Sequence, residues 1–170
     1  MELGSLIRDI PDFPRPGIIF KDVTPLLQDP DGFRKTIDTL IEQLKPYDFD
    51  VIVAPEARGF ILGAPLAYAL GKGFVPARKP GKLPGKKRRV TYQLEYGTDA
   101  LELHADAIKP GQKVLVLDDL LATGGTILST IKLVEEEGGV VTATAFLIEL
   151  EFLNGRKVLQ DYPVISLLRY

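Results

Sequence analysis

Two carboxylates stand side by side at Asp118 and Asp119, and shortly after them the chain reads Ala122-Thr123-Gly124-Gly125-Thr126. They belong to the stretch VLVLDDLLATGGTI, an apolar strand followed by a small-residue turn and an amphipathic helix. Strand, glycine-rich turn and helix together receive phosphate well. Successive main-chain N–H groups converge at the helix N-terminus, and the helix dipole adds positive potential. Gly124 and Gly125 allow unusual backbone angles and close approach, while Thr123 and Thr126 add hydroxyl donors. The turn lacks the lysine of GxxxxGK[ST], and GxGxxG is absent too, so neither a triphosphate loop nor a dinucleotide fingerprint is present. A phosphate monoester suits its size. Adjacent carboxylates before such a cradle can accept hydrogen bonds from vicinal hydroxyls, as an acidic residue does for ribose. Ribose 5-phosphate would satisfy both ends. The same residues also read as a polar connection with good helix capping.

The surrounding elements follow from periodicity. DPDGFRKTIDTLIEQLKPY places Phe33, Ile37, Leu40, Ile41 and Leu44 at helical spacing, and Pro46 ends the helix. DVIVAPEARG is a short strand entering a loop at Pro55, and GFILGAPLAYALG reads as a helix apolar on nearly all sides. GFVPARK is another strand, followed by the basic PGKLPGKKRR; TYQLEYG and ALELHAD alternate and read as a hairpin-like pair or a sheet edge. KVLVLDD is a buried strand, and TILSTIKLVEEEGG a helix with Ile127, Ile131 and Val134 inward and Gly138 at its end. VVTATAFLIEL and PVISLL supply two further strands, and LGSLIRDI near the start is helix-like. Alternating strands and helices with continuous apolar strands imply an α/β fold, a mostly parallel sheet covered on both faces. Ligands bind at the carboxyl ends of such strands, where APEARG, ARKPGKLPG and DDLLATGGT leave the sheet.

The chain of 170 residues is expected to form a single domain, 1–170. A net charge of −2 gives no general attraction to nucleic acid or anionic lipid. Without cysteine, and with His104 as the one histidine, disulfides, thiolate metal sites and multi-His sites are excluded. No apolar stretch approaches the roughly 20 residues of a membrane span, and MELGSLIRDI lacks a signal-peptide pattern. A cytoplasmic protein is expected. His104 alternates with Leu103 and Ala105 as a surface strand residue, and no GxSxG accompanies it.

VLVLDDLLATGGTI resembles the signature with which type I phosphoribosyltransferases bind phosphoribosyl diphosphate (PRPP). EARGF, RKPGKLPG and LEYG occur upstream in that order, and the likeness runs from FPRPGIIFKDVTPLL to SLLRY. Within the family it is similar to the branch that acts on adenine. The resemblance implies the type I fold, a central mostly parallel sheet flanked by helices, with a small N-terminal hood over roughly 1–30 and a mobile catalytic loop over roughly 80–100. It implies purine salvage: transfer of the 5-phosphoribosyl group to N9 of adenine, giving AMP and pyrophosphate. It further implies Mg²⁺, carried mainly by PRPP and pyrophosphate with no direct protein ligand, and a homodimer.

Carried over by motif, Ala122, Thr123, Gly124, Gly125 and Thr126 hold the 5-phosphate, and Asp118 and Asp119 the ribose hydroxyls. Arg58 of EARGF, with Arg78, Lys79 and Lys82 of the basic stretch, binds the departing pyrophosphate. Arg58 is also catalytic, because charge develops on the leaving oxygens. The Glu56–Ala57 peptide is often cis in the family. Glu95 of LEYG matches the proposed general acid near N7 of the purine; without the resemblance it reads as the solvent side of an alternating strand. Phe20 of IIFK would stack on the base, and the main chain of Ile19 and Lys21 would read its edge. One departure is the run Lys86, Lys87, Arg88 and Arg89, more basic than the family leads one to expect. It leaves open substrate steering or a second anionic ligand. The rival activities are a relative using a 6-oxopurine and a PRPP-sensing regulator, which would need an added DNA-binding segment.

Overall fold

The computed structural model describes residues 1–93 and 97–170. Five strands form the central sheet: β3 (Val51–Pro55), β4 (Gly73–Ala77), β7 (Lys113–Leu121), β8 (Val140–Glu149) and β9 (Val164–Arg169). Their spatial order is β4-β3-β7-β8-β9, and every pairing is parallel. The strands are apolar almost throughout because helices cover both faces, and the two-residue pleat divides their side chains between two cores. Ile52, Ala54, Leu115 and Leu117 pack with α2 (Pro30–Leu44) and α3 (Arg58–Leu70). Val51, Val53, Val114 and Val116 pack with Ile127, Ile131 and Val134 of α4 (Gly125–Glu136).

The helices start and stop where local chemistry requires. Asp29 accepts the Gly32 N–H at 2.7 Å as the cap of α2, and Pro30 fits its first position. Gly71, at φ 64°, closes α3 in the left-handed conformation. That helix is less enclosed than its composition suggests: Ile61, Ala64 and Tyr68 form an exposed stripe, and Tyr68 is 90% accessible. The alternating segments form an antiparallel hairpin, β5 (Lys87–Gln93) with β6 (Thr98–His104), which contributes Leu101 and Leu103 to the second core. His104 ends β6 half-buried, opposite Lys87.

The N-terminal segment departs from the expected helix. Only Leu3–Leu6 is helical, as a single 3-10 turn; β1 (Arg8–Ile10) then pairs antiparallel with β2 (Phe20–Asp22), ahead of the short α1 (Thr24–Gln28). Asp22 explains the change. Its carboxylate accepts the Arg8 guanidinium at 2.6 and 3.0 Å, the Thr24 N–H at 3.0 Å and the Thr24 hydroxyl, so the ribbon and α1 share one anchor. Among the described residues no helix is long and apolar enough to cross a membrane.

Candidate active site

The sheet order creates the crevice. From β3 the chain passes through α3 to β4 on one side, whereas from β7 it passes through α4 to β8 on the other. Neighbouring strands whose connections diverge mark a switch point, the preferred ligand site of open α/β sheets. β3 and β7 pair only from Val51↔Val114 to Val53↔Val116, so their carboxyl ends leave each other without hydrogen bonds. The expected loops emerge there.

β7 continues two residues beyond the acids, because Leu120 and Leu121 pair with Ile148 and Glu149 of β8. Asp118 and Asp119 therefore sit on rigid strand rather than in a loop. Asp119 is paired with Arg58, Nε to Oδ2 at 2.7 Å, joining the end of β7 to the first turn of α3. The Asp119 N–H donates to Asp118 Oδ1 at 2.8 Å. Burial, then the charge and hydrogen bond of Asp119, push the Asp118 carboxyl well above its ordinary range, against the smaller opposing pull of Arg58.

Beside the acids, residues 120–127 and Arg58 enclose a cavity of about 200 Å³. The two glycines of the turn differ. Gly124 lies at φ 91° with Val158 and the Gly155 carbonyl against it, so close approach and a left-handed backbone both require glycine. Gly125 begins α4, and a Cβ there would meet no atom within 4 Å. A side chain at 125 would therefore project into open space at the helix N-terminus.

A second cavity of about 330 Å³ is lined by Glu56, Ala57, Arg58, Lys79, Asp118, Asp119 and Thr126. Glu56, which the sequence reading passed over, ties its two loops together. Its Oε1 accepts the Lys79 N–H at 2.5 Å and Arg78 Nε at 3.0 Å. Burial pushes this carboxyl up, but those contacts outweigh it and hold it below its ordinary value. The Glu56–Ala57 peptide is cis. Arg78 also lies 5.7 Å from the Phe60 ring, so its guanidinium is fixed. Lys79 Nζ contacts Asp99 of β6, linking the hairpin to the crevice. Lys82 is exposed at the outer edge, near enough for its charge to act on Glu56.

On the other side of Asp119 the cavities are apolar. One of about 470 Å³ is lined by Ile10, Phe13, Phe20, Lys21, Val23, Leu27, Ile61, Arg58 and Asp119. Another, of about 160 Å³, adds Ile18, Ile19, Leu120 and Ile148. Phe20 meets Phe13 edge-on at 5.2 Å, and the Arg58 guanidinium lies 5.7 Å from its ring. The Lys21 ammonium is turned to Asp9 at 2.6 Å and to the Tyr170 ring. Arg58 and Asp119 border all four cavities, so the glycine-rich turn, acid pair, basic loop and apolar N-terminal segment converge on one ion pair. Glu95 lies outside the described residues.

Residues 26–167 match the family model described as the phosphoribosyl transferase domain. The chain is 61% identical to the adenine phosphoribosyltransferase of Alkaliphilus metalliredigens over the full length of both. The crystal structure of the enzyme from Thermoanaerobacter pseudethanolicus superposes with a TM-score of 0.96 at 56% identity, covering 99% of this chain and 98% of that one. The Saccharomyces cerevisiae enzyme, solved with an imino-altritol bisphosphate and adenine, gives a TM-score of 0.94 at 41% identity, covering 97% and 96%. With a crevice of this construction and relatives matched end to end, the chain belongs to the adenine phosphoribosyltransferases of the type I phosphoribosyltransferase family.

Proposed function

We propose that this chain transfers the 5-phosphoribosyl group of PRPP to N9 of adenine, releasing pyrophosphate and forming AMP. The observation that carries the proposal is the convergence of two polar and two apolar cavities on Arg58 and Asp119. A phosphorylated sugar with a leaving diphosphate and an apolar base presents the matching pattern. The 5-phosphate sits in the turn from Ala122 to Thr126, and Asp118 and Asp119 accept from the ribose hydroxyls. Adenine lies in the hood beside Phe20, read by the main chain of Ile19 and Lys21. The diphosphate faces Arg58 and Lys79, with Arg78 and Lys82 adding positive charge behind them.

In the reaction N9 attacks C1 of the ribose while the bond to the diphosphate oxygen breaks, its electron pair leaving with pyrophosphate. Arg58 must then exchange Asp119 for the developing oxyanion. Positive charge already fixed beside the leaving group stabilises it without reorganisation. Glu95 donates a hydrogen bond at N7, and the proton of N9 passes to solvent as the new bond to C1 forms. Mg²⁺ belongs to the same proposal, as a cation that keeps its waters and is held mostly by substrate phosphates. Bound that way, Mg²⁺ would neutralise charge on the diphosphate. A cytoplasmic homodimer belongs to the same proposal, supported by the absence of cysteine and by the exposed stripe on α3.

The test is AMP formation with adenine, hypoxanthine and guanine competing at saturating PRPP. Adenine should dominate, and Glu95→Ala should lower kcat about a hundredfold with PRPP affinity little changed. Preference for a 6-oxopurine would overturn the base assignment, and an unaltered rate would remove Glu95 from the mechanism.

A further inference from the structure

The turn that receives the 5-phosphate under the function proposed above is backed by a segment that lines none of the four cavities, α5 (Gly155–Val158). Gly155 lays its backbone on the turn. A Cβ placed there would come within 2.6 Å of the Ala122 carbonyl oxygen and 2.8 Å of Leu121 Cδ1. From the opposite direction, a Cβ on Gly124 would stand 2.3 Å from Val158 Cγ2 and 3.1 Å from the Gly155 carbonyl oxygen. Neither contact has room for a methyl group, so the two backbones fix each other's position.

A helix of four residues cannot hold such a place by itself. Arg156 holds it. Its Nε donates to Glu149 Oε1 at 2.6 Å and its Nη2 to Oε2 at 2.9 Å, the planar two-bond geometry that makes this pairing directional. Glu149 is buried at the end of β8, directly across from Leu121 of β7, and the Ser166 hydroxyl of β9 donates to it at 2.5 Å. A continuous path thus runs from three strands of the sheet through Glu149 and Arg156 to Val158 and Gly124.

We infer that the Arg156–Glu149 pair is a positioning brace for the phosphate turn, setting affinity for the phosphorylated end of PRPP without touching it. The inference rests on the reading of residues 122–126 as the phosphate cradle. Main-chain amides bind an anion well only when already aimed at it, and a displacement of about 1 Å is enough to lose much of that binding. Because the 5-phosphate takes no part in bond making or breaking, the loss belongs in KM rather than kcat.

Steady-state kinetics on Arg156→Gln, Arg156→Lys and Val158→Ala, with thermal melts of each, test the brace. Arg156→Gln should raise the KM for PRPP about tenfold, leaving kcat within about twofold and the KM for adenine unchanged. Arg156→Lys should recover part of the loss, since an ammonium restores charge without the two-pronged geometry. Val158→Ala leaves the ion pair intact, shortens the side chain that lies against Gly124, and should raise the same KM by a smaller factor. It decides the matter should Arg156→Gln not fold. A folded variant that melts lower with an unaltered KM for PRPP, or one whose two substrate KM values rise together, overturns the brace. Gly125→Val, assayed alongside, separates the two readings. Loss of PRPP binding there with the brace variants unaffected defeats the brace alone, while unaltered PRPP binding in Gly125→Val defeats the phosphate cradle itself.

Discussion

Asp118 carries the sharpest conflict in the site. Its carboxyl is half-buried and stands against a second acid, and both circumstances raise its affinity for a proton. The sign follows directly. Between the ordinary value near 3.8 and its raised value, the folded chain holds a proton that the unfolded chain has released, so stability falls as pH rises through that window. At neutral pH an ionised Asp118 is destabilising, a cost that its proposed role as acceptor for the sugar hydroxyls would explain. Asp118→Asn should therefore melt at a higher temperature than the parent at pH 7 while losing about 10- to 100-fold in kcat/KM for PRPP, the worth of a charged hydrogen bond. Paired melts and kinetics check both halves, and a lower melting temperature would show that the buried charge is better compensated than its surroundings indicate. The acid pair at the end of a buried strand and the glycine-rich turn before a helix were legible in the sequence, because a continuous apolar run and a helical period mark those two elements. The Arg58–Asp119 contact was not, since the two residues are joined only where β3 and β7 part.

The basic run Lys86–Arg89 shows why partners are harder to read than periods. The sequence placed it in a basic loop ahead of an alternating strand that began at Thr91, whereas β5 already takes in Lys87, Arg88 and Arg89. Its charge suggested an anionic ligand, yet Arg89 Nε lies 3.0 Å from Glu102 Oε2 and Arg88 Nε 3.8 Å from Glu137 Oε1. Both carboxylates are buried, on β6 and just past the end of α4, and nothing local in the sequence marks them as waiting for arginine. Lys87 Nζ donates to the Leu83 carbonyl, which draws the preceding loop onto the same strand. The hairpin is thereby fastened at its base. Arg89→Ala would leave a buried oxygen of Glu102 without its donor, although the Gly81 N–H would still serve the other. The expected loss is about 1–3 kcal/mol, less than for a fully buried pair because Arg89 itself is half exposed. Urea unfolding measures it, and an unshifted midpoint would mean that water replaces the guanidinium. The helices α2, α3 and α4 and all five sheet strands were legible by the same logic of period. The ribbon β1–β2 was not, because three residues are too few to display an alternation and its register depends on Asp22 gripping Arg8 and Thr24.

Taken over the folded chain, these acids divide into two groups with opposite demands on pH. Asp48, Glu56, Asp99, Glu102 and Glu149 are all held below their ordinary values by cationic or N–H partners, and Asp22 is lowered from 3.8 to about 2, first by the Thr24 N–H and hydroxyl and then by Arg8. For this group the unfolded chain takes up protons first on acidification, so its stabilisation is complete above the ordinary carboxylate range and disappears as pH falls through the folded values. Asp118 and Glu137, both raised chiefly by burial, act in reverse and lose stability as pH rises. The larger group should govern the acid side. Melting temperature is expected to hold near neutrality and to fall steadily from about pH 4 toward pH 2, the interval that Asp22 spans. Asp22→Asn should lower the neutral plateau, because Arg8 and the first turn of α1 lose their shared anchor, and should flatten the acid limb by removing one of the groups that produces it. Circular dichroism melts at half-unit pH steps would resolve the two curves. Parallel curves for parent and variant between about pH 4 and 2 would place the acid sensitivity elsewhere and leave Asp22 a bystander.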